Sequence, residues 1–174
     1  MTIFFSCIAI LVLLVGVIHM IPPDYRIARS VVIQKSPEDI FPHLNDFRKW
    51  HDWSPWAKID PEATITFEGT ESGQGTIMRW NGNKNIGEGG MEILESQPSA
   101  HITIQLTFLR PMKGGGIAEF HLKPEGNSTH MTWSMSGKNN FIGKIFSLLF
   151  CRKMTETMYD KGLNTLKTLV EGGP

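Results

Sequence analysis

The chain lacks a surplus of charge of either sign. Its 174 residues contain 17 Lys and Arg against 17 Asp and Glu, so the formal net charge is zero. Proteins that bind nucleic acid usually carry a basic face, so no nucleic-acid partner is expected. Cysteine is scarce too, with only Cys7 and Cys151. Because Cys7 lies inside an apolar run, we expect no disulfide and interpret both residues as small hydrophobic side chains.

The sequence also lacks the short motifs that mark common active sites. It has no Gly-x-Ser-x-Gly, His-Glu-x-x-His or Cys-x-x-Cys, and its glycine-rich segments 87–90 and 113–116 are not followed by Lys-Ser/Thr. His121 and His130 would face each other if a hairpin turned at Glu125-Gly126. Both have the parity of outward-facing positions, and no third ligand follows at a suitable spacing. We therefore expect no catalytic residue, no metal site and no cofactor.

What the chain does have is one long uncharged apolar run, residues 3–21. As a helix it would span about 28 Å at 1.5 Å per residue, close to the thickness of the hydrocarbon layer. A cleaved signal peptide is the alternative, but there is no basic n-region and no small-x-small cleavage site. The pattern predicts a transmembrane anchor over residues 1–22, followed by a linker over 23–28.

The charges that flank this run predict its orientation. No Lys or Arg precedes it, whereas Arg26, Arg29 and Lys35 follow. The positive-inside bias then places the C-terminal domain in the cytoplasm. The sequence therefore predicts a single-pass protein of the bacterial inner membrane, with the lipid bilayer as one partner.

After the anchor, the pattern predicts one α+β domain over residues 29–171. Apolar and polar residues alternate in about seven segments separated by Gly, Pro or Asn, starting at 29–34 and most regularly at 101–108. This is typical of an antiparallel meander. From about 140 to 171 the apolar residues recur at helical spacing. A curved sheet around one long C-terminal helix is expected.

Between the first strand and the second lies a tryptophan-rich helical segment. Ser36 and Pro37 suit the cap and first position of a helix, and three tryptophans follow at a spacing of three, Trp50, Trp53 and Trp56. Trp buries a large apolar area and needs a partner for its ring N–H. The three rings could plug one end of a core, or they could form the rim of an apolar pocket.

This segment carries a family resemblance. The sequence SPEDIF (36–41), followed by LNDFRKWHDWSPW (44–56), resembles bacterial members of the SRPBCC superfamily, and so do 67–69, 73–75 and 133–137. That superfamily includes START-like lipid-binding domains, plant-allergen-like proteins and proteins labelled polyketide cyclase/dehydrase. The resemblance covers about residues 27–170 and implies the helix-grip fold. It implies no catalytic residue, because the superfamily shares no catalytic triad or metal motif.

Side chains alternate between the two faces of each predicted strand, and those that face the inside of the sheet are apolar. None of them is ionisable. Groups for acid–base chemistry would have to come from elsewhere, and His43, His51 and Asp52 are the nearest candidates. The pocket is expected to be lined by Trp50, Trp53, Trp56, Phe67, Met78, Trp80, Met91, Ile104, Leu106, Phe108, Phe120, Met131, Trp133 and Met135.

These observations favour a membrane-anchored, non-catalytic protein that binds a hydrophobic small molecule or lipid. Two alternatives remain open. In the first, the domain is an accessory subunit of a larger membrane protein complex, in which the anchor and the apolar segment 141–150 bind the partner and the cavity is vestigial. In the second, it is an enzyme similar to polyketide cyclases, with polar groups supplied by residues 43–56.

Overall fold

The structure is a computed structural model that describes residues 22–138 and 152–172. It also describes five isolated positions near the start of the chain: Phe5, Leu13, Gly16, His19 and Met20. Most of the predicted anchor at 3–21 and all of the apolar segment 141–150 lie outside the described residues. Among the residues that are described, no helix is long and apolar enough to cross a membrane.

Within the part of the chain that the structure describes, seven antiparallel strands form one sheet, as the alternating pattern predicts. Their order across the sheet is β1-β7-β6-β5-β4-β3-β2, so each strand after the first lies beside its neighbour in sequence and β1 closes onto β7. The strands are β1 (Asp24–Ile33), β2 (Thr64–Gly69), β3 (Thr76–Asn81), β4 (Glu88–Gln97), β5 (His101–Arg110), β6 (Gly114–Glu125) and β7 (Ser128–Lys138).

Strand β1 begins earlier than expected and takes in most of the segment that was expected to be a linker. Asp24 pairs with Lys138 and Ile33 pairs with Thr129, so the two strands run together over their whole length. The physical reason is the length of β7. Its backbone groups up to Lys138 need partners, and the residues after Pro23 supply them.

The connection between β1 and β2 is helical. It contains α1 (Pro37–Asn45), a 3₁₀ turn (Phe47–Lys49), the short helix α2 (Trp50–Trp53) and a second 3₁₀ turn (Pro55–Lys58). Ser36 caps α1, but its hydroxyl donates to the Asp39 carboxylate at 2.9 Å, which also accepts the Ser36 N–H at 3.3 Å. The N–H of Asp39 in turn donates to the Ser36 carbonyl oxygen at 3.2 Å.

The C-terminal helix α3 (Arg152–Glu171) packs on the inner face of the sheet. Its residues Tyr159, Leu163 and Leu166 are at most 2% exposed and belong to the same core as the inner side chains of β4–β7. The two layers are therefore the curved sheet on one side and α1, α2 and α3 on the other. This is the helix-grip arrangement that the resemblance implies.

Candidate functional site

The inner face of the sheet is apolar from β2 to β7. The register places Phe67 opposite Met78, Met78 opposite Met91 and Met91 opposite Leu106, so these side chains share one face across four strands. Further along, Phe120 lies opposite Trp133. Opposed residues of antiparallel strands point to the same side, so the parity inferred from the sequence is the parity of the sheet.

One half of this face is filled by a tryptophan cluster, which we define as Trp50, Trp53, Phe120 and Trp133. All four are at most 7% exposed. Trp53 meets Phe120 and Trp133 edge-to-face, with ring centroids 6.2 and 5.5 Å apart. These are favourable geometries for aromatic pairs.

Both indole N–H groups contributed by α2 are satisfied by main chain. Trp50 donates to the Leu44 carbonyl oxygen and Trp53 donates to the His43 carbonyl oxygen, each at 3.0 Å. These bonds attach α2 to the preceding helix α1. Trp50 and Trp53 therefore occupy the position of a core plug, one of the two interpretations that the sequence left open.

Helix α3 approaches the tryptophan cluster very closely. The ring of Tyr159 stacks on Trp133 with centroids 3.9 Å apart and planes 9° apart. One turn along, a Cβ on Gly162 would lie 3.0 Å from a ring carbon of Pro55 and 3.1 Å from Trp133. Burial raises the pKa of the Tyr159 phenol well above its ordinary range, with a smaller contribution from Tyr25, so the hydroxyl stays protonated.

The other half of the inner face is only partly covered. We call it the open apolar surface. Ile65 and Phe67 on the edge strand β2 are 42% and 37% exposed. Its remaining members are half-buried side chains on the neighbouring strands, with Trp80 and Phe108 in edge-to-face contact at 6.0 Å. The open apolar surface comprises Ile65, Phe67, Met78, Trp80, Leu106, Phe108 and Met135.

The fourteen predicted lining residues divide between these two halves. Trp56 is half-buried at the edge of the tryptophan cluster, 5.6 Å from Trp133. The buried members of the predicted set, each at most 7% exposed, are Trp50, Trp53, Met91, Ile104, Phe120, Met131 and Trp133. The partly exposed members are Trp56, Phe67, Met78, Trp80, Leu106, Phe108 and Met135. Sequence parity alone does not distinguish the two groups, because all of the strand residues among them have inward-facing parity.

The inner face is not free of ionisable groups, and here the sequence expectation is wrong. Arg29 lies opposite Trp133 in the register, and Tyr25 lies opposite Gly137, so both belong to the inner face. The Arg29 guanidinium pairs with Glu156 at 2.8 Å and with Asp160 at 3.3 Å on helix α3. Both residues lie on β1, whose pairing with β7 is not apparent from the sequence.

The three residues named as candidates for acid–base chemistry do not face the open apolar surface together. His51 and Asp52 are exposed on α2. His43 is half-buried, and its Nδ1 is buried without a hydrogen-bond partner among the described residues. Burial and the nearby charge of Lys49 lower the His43 pKa, against a smaller opposing effect of Asp52. His43 is therefore neutral near pH 7.

A recess of about 450 Å³ lies where β1, β6 and β7 meet, lined in part by Tyr25, Gly116 and Gly137. A Cβ on Gly116 or Gly137 would lie 3.1 or 2.9 Å from the Tyr25 hydroxyl, so the two glycines make room for that ring. Gln105, Ile117 and Ser136 also line the recess and lie opposite one another on the outer face of the sheet, so the recess is not part of the open apolar surface. The tryptophan rim expected from the sequence lies elsewhere.

Comparison with known proteins supplies a family and a fold. A sequence profile of the family described as "Polyketide cyclase / dehydrase and lipid transport" matches residues 25–171. Among solved structures, protein CV1439 from Chromobacterium violaceum is 17% identical, with a TM-score of 0.61 over 87% of this chain and 99% of its own. The Aha1 dimer from Colwellia psychrerythraea is 19% identical, with a TM-score of 0.60 over 86% and 98%.

A third similar structure is the di-domain ARO/CYC protein BexL from the BE-7585A biosynthetic pathway. It is 14% identical, with a TM-score of 0.69, and the match covers 92% of this chain and 54% of BexL. At these identities the solved structures establish the shared fold alone. Among curated proteins, none matches this chain.

Proposed function

The chain belongs to the polyketide cyclase/dehydrase and lipid transport family, and from that premise we propose that it binds a hydrophobic small molecule or lipid on the inner face of its sheet. The observation that supports this proposal is the open apolar surface. The side chains of Ile65 and Phe67 are 42% and 37% exposed, although they belong to the inner face of the sheet. The other half of that face is filled by the tryptophan cluster. Apolar area of this kind favours an apolar occupant by about 25 cal/mol per Å².

The composition of the surface suits a ligand of irregular shape. Met78 and Met135 are flexible and polarisable, and they share the surface with the more rigid rings of Trp80 and Phe108. The Trp80 N–H already donates to the Ile86 carbonyl oxygen at 3.2 Å, so the ring presents its apolar part. A site of this kind selects its ligand by shape and hydrophobicity rather than by a set of hydrogen bonds.

A charged group lies at one edge of the open apolar surface. The guanidinium carbon of Arg48 lies 4.9 Å from the centre of the Phe67 ring, and its Nη1 donates to the Glu71 carbonyl oxygen at 2.7 Å. A ligand with an apolar body and a polar or anionic end fits this arrangement better than a wholly apolar one.

The two alternative functions use the same surface differently. An accessory subunit would cover the open apolar surface with a partner protein. An enzyme resembling a cyclase would need a titratable group facing the ligand. Among the strand residues that the structure describes, Tyr25 and Arg29 are ionisable and inward-facing on β1, at the opposite edge of the sheet from β2. Tyr25 and Arg29 flank the Met135 end of the surface, across the sheet from Ile65 and Phe67. The Arg29 guanidinium is already paired with Glu156 and Asp160, and this favours binding over catalysis.

Membrane anchoring belongs to the same proposal and rests on the sequence of residues 3–21. An anchor would hold the open apolar surface near a bilayer, where lipids and isoprenoids are concentrated. The test is fractionation of cells that express the full chain, with alkaline carbonate extraction of the membranes. Retention in the membrane pellet is expected, and release by carbonate would contradict the anchor.

The binding proposal is tested with two substitutions on one strand. Phe108→Glu places a charge on the open apolar surface, whereas Leu109→Glu places the same charge on the next residue, which is 44% exposed and is not a member of that surface. The full-length proteins are purified in parallel and extracted with organic solvent, and the extracts are compared by mass spectrometry. We expect an apolar compound in the wild-type and Leu109→Glu extracts that is depleted at least about tenfold in the Phe108→Glu extract.

The same purification separates the alternatives. Identical extracts from all three proteins would overturn the binding proposal, because background lipids do not depend on Phe108. A protein that co-purifies from native membranes with the wild type and is lost with Phe108→Glu would instead support the accessory subunit.

A further inference from the structure

The outer face of the sheet carries a cluster of two histidines and a glutamate that the proposed function does not use. His101 on β5 and His121 on β6 are directly opposite in the register, and Glu119 lies two residues before His121 on the same face. The two imidazole rings stack with centroids 4.2 Å apart and planes 14° apart. Glu119 Oε1 lies 3.6 Å from His101 Nε2 and 4.0 Å from His121 Nε2.

These three side chains offer a compact set of metal ligands. The two imidazole nitrogens and the carboxylate oxygen all lie within 4.8 Å of one another. In a tetrahedral zinc site with bonds of about 2.0–2.1 Å, the ligand atoms are about 3.3 Å apart. The backbones of His101 and His121 are held in adjacent strands of the sheet and need not move. Small rotations of the side chains close that difference.

The chemistry of the three side chains also suits a cation. A histidine binds a metal through a neutral ring nitrogen, and a glutamate carboxylate brings a negative charge.

Two hydroxyl groups border the cluster. Thr103 Oγ1 lies 3.5 Å from His101 Nε2, which is a weak contact that a metal would displace. Ser134 lies opposite Glu119 in the register and is 1% exposed, and its Oγ has no hydrogen-bond partner among the described residues. A buried hydroxyl without a partner is costly, and an acceptor such as the second oxygen of a ligating carboxylate would satisfy it.

We propose that His101, Glu119 and His121 form a binding site for one divalent transition-metal ion, with zinc as the best match to two imidazoles and one carboxylate. The three side chains leave the fourth position of a tetrahedron for water or an added ligand. The site lies on the opposite face of the sheet from the open apolar surface. The proposal of metal binding is therefore independent of the proposal of hydrophobic binding. It departs from the sequence expectation of no metal site, which paired His121 with His130.

The actual register explains why the sequence did not reveal this cluster. His130 lies opposite Lys123, and His121 lies opposite Thr132, so the two histidines of that hairpin are offset by two residues. The cross-strand neighbour of His121 is His101, twenty residues earlier. Their pairing depends on how β5 and β6 turn at 111–113, which a residue pattern does not specify.

The experiment is a zinc titration of the full chain, purified without a histidine tag and freed of metal by a chelator that is then removed. Calorimetry with zinc chloride is combined with the visible absorption of added cobalt, which reports nitrogen and oxygen ligands in a tetrahedral site. We expect one ion per chain, with affinity reduced at least about tenfold in His121→Ala and in Glu119→Gln. His130→Ala is the matched control, and its affinity is expected to equal that of the wild type.

The same titration contains the outcomes that overturn the proposal. The proposal is overturned if the wild-type protein gives no zinc-dependent signal at about 1 mM zinc, which corresponds to a very weak affinity. It is also overturned if His121→Ala and Glu119→Gln both bind zinc with wild-type affinity. Loss of binding in His130→Ala to the same extent would also overturn it, because that residue is outside the cluster. Circular dichroism of each variant establishes that a lost signal is not lost folding, and the exposed position of His121 makes His121→Ala the safer of the two variants.

Discussion

The contact between helix α3 and the tryptophan cluster depends on one glycine, and replacing it tests the packing of the core. Gly162 is buried in the middle of α3, where glycine is a poor helix former. Changing an unconstrained helical glycine to alanine stabilises a protein by about 0.8–1 kcal/mol. Here the new Cβ would lie 3.0 Å from Pro55 and 3.1 Å from Trp133, closer than ordinary contact at about 3.5–4.0 Å.

Neither neighbour of that Cβ has room to move away. Pro55 is a rigid buried ring, and Trp133 is held between the Tyr159 ring at 3.9 Å and the Phe120 ring at 5.0 Å. Overpacking of such a site costs about 1–3 kcal/mol. Set against the gain in helix propensity, Gly162→Ala should change the free energy of unfolding by between zero and a loss of about 2 kcal/mol. Gly162→Val should lose more, since it adds two methyl groups and gains less propensity.

The assay is urea unfolding of the full chain followed by tryptophan fluorescence, at pH 7.5 and 25 °C. Asn164→Ala is the matched control, because Asn164 is exposed two residues further along the same helix. It should gain about 0.5 kcal/mol from propensity alone. A gain of about 1 kcal/mol in Gly162→Ala, equal to or above that of the control, would refute the close packing of α3 on Trp133.

Three further predictions concern the same core and its edge. In a double-mutant cycle, Arg29→Ala and Glu156→Gln should show a coupling free energy of about 0.2–1 kcal/mol, because the ion pair is partly exposed. The coupling should shrink at about 1 M salt, and a coupling that does not depend on salt would contradict an ion pair. Trp53→Phe should lower the free energy of unfolding by about 1–3 kcal/mol, because the His43 carbonyl oxygen loses its hydrogen-bond donor. An unchanged melting temperature in thermal unfolding would argue against that bond. Because the His43 pKa is lowered in the folded protein, the unfolded chain protonates His43 at a higher pH, and the free energy of unfolding should fall as the pH drops below 6.5. His43→Leu should reduce the slope of unfolding free energy against pH, and equal slopes in the two proteins would exclude His43 as a contributor.

The sheet could be predicted from the sequence because its signal is local. Ile102, Ile104, Leu106 and Phe108 alternate with polar residues, and that alternation reports a strand with one buried face whatever its neighbours are. The register is not local. Arg29 reaches the inner face because β1 pairs with β7, a hundred residues later, and no pattern within 29–34 specifies that partner.

The candidate site was only half predictable for a related reason. Phe120 and Phe108 have the same chemistry and the same predicted orientation, yet one is 0% exposed and the other is half-buried. What separates them is the position of α2 and α3 over the sheet. Helix placement depends on contacts such as Gly162 against Trp133, in which the absence of a side chain is the deciding feature.

This division of the inner face makes the proposed binding separable from folding. A charge introduced at Trp133 would be buried within the tryptophan cluster, without a partner, and would unfold the domain. A charge at Phe108 would lie on the open apolar surface, where water already reaches the side chain, and should cost little stability. The Phe108→Glu protein is therefore expected to melt within a few degrees of the wild type while losing its apolar ligand. If it unfolds instead, Phe108 belongs to the core, and the open apolar surface is smaller than proposed.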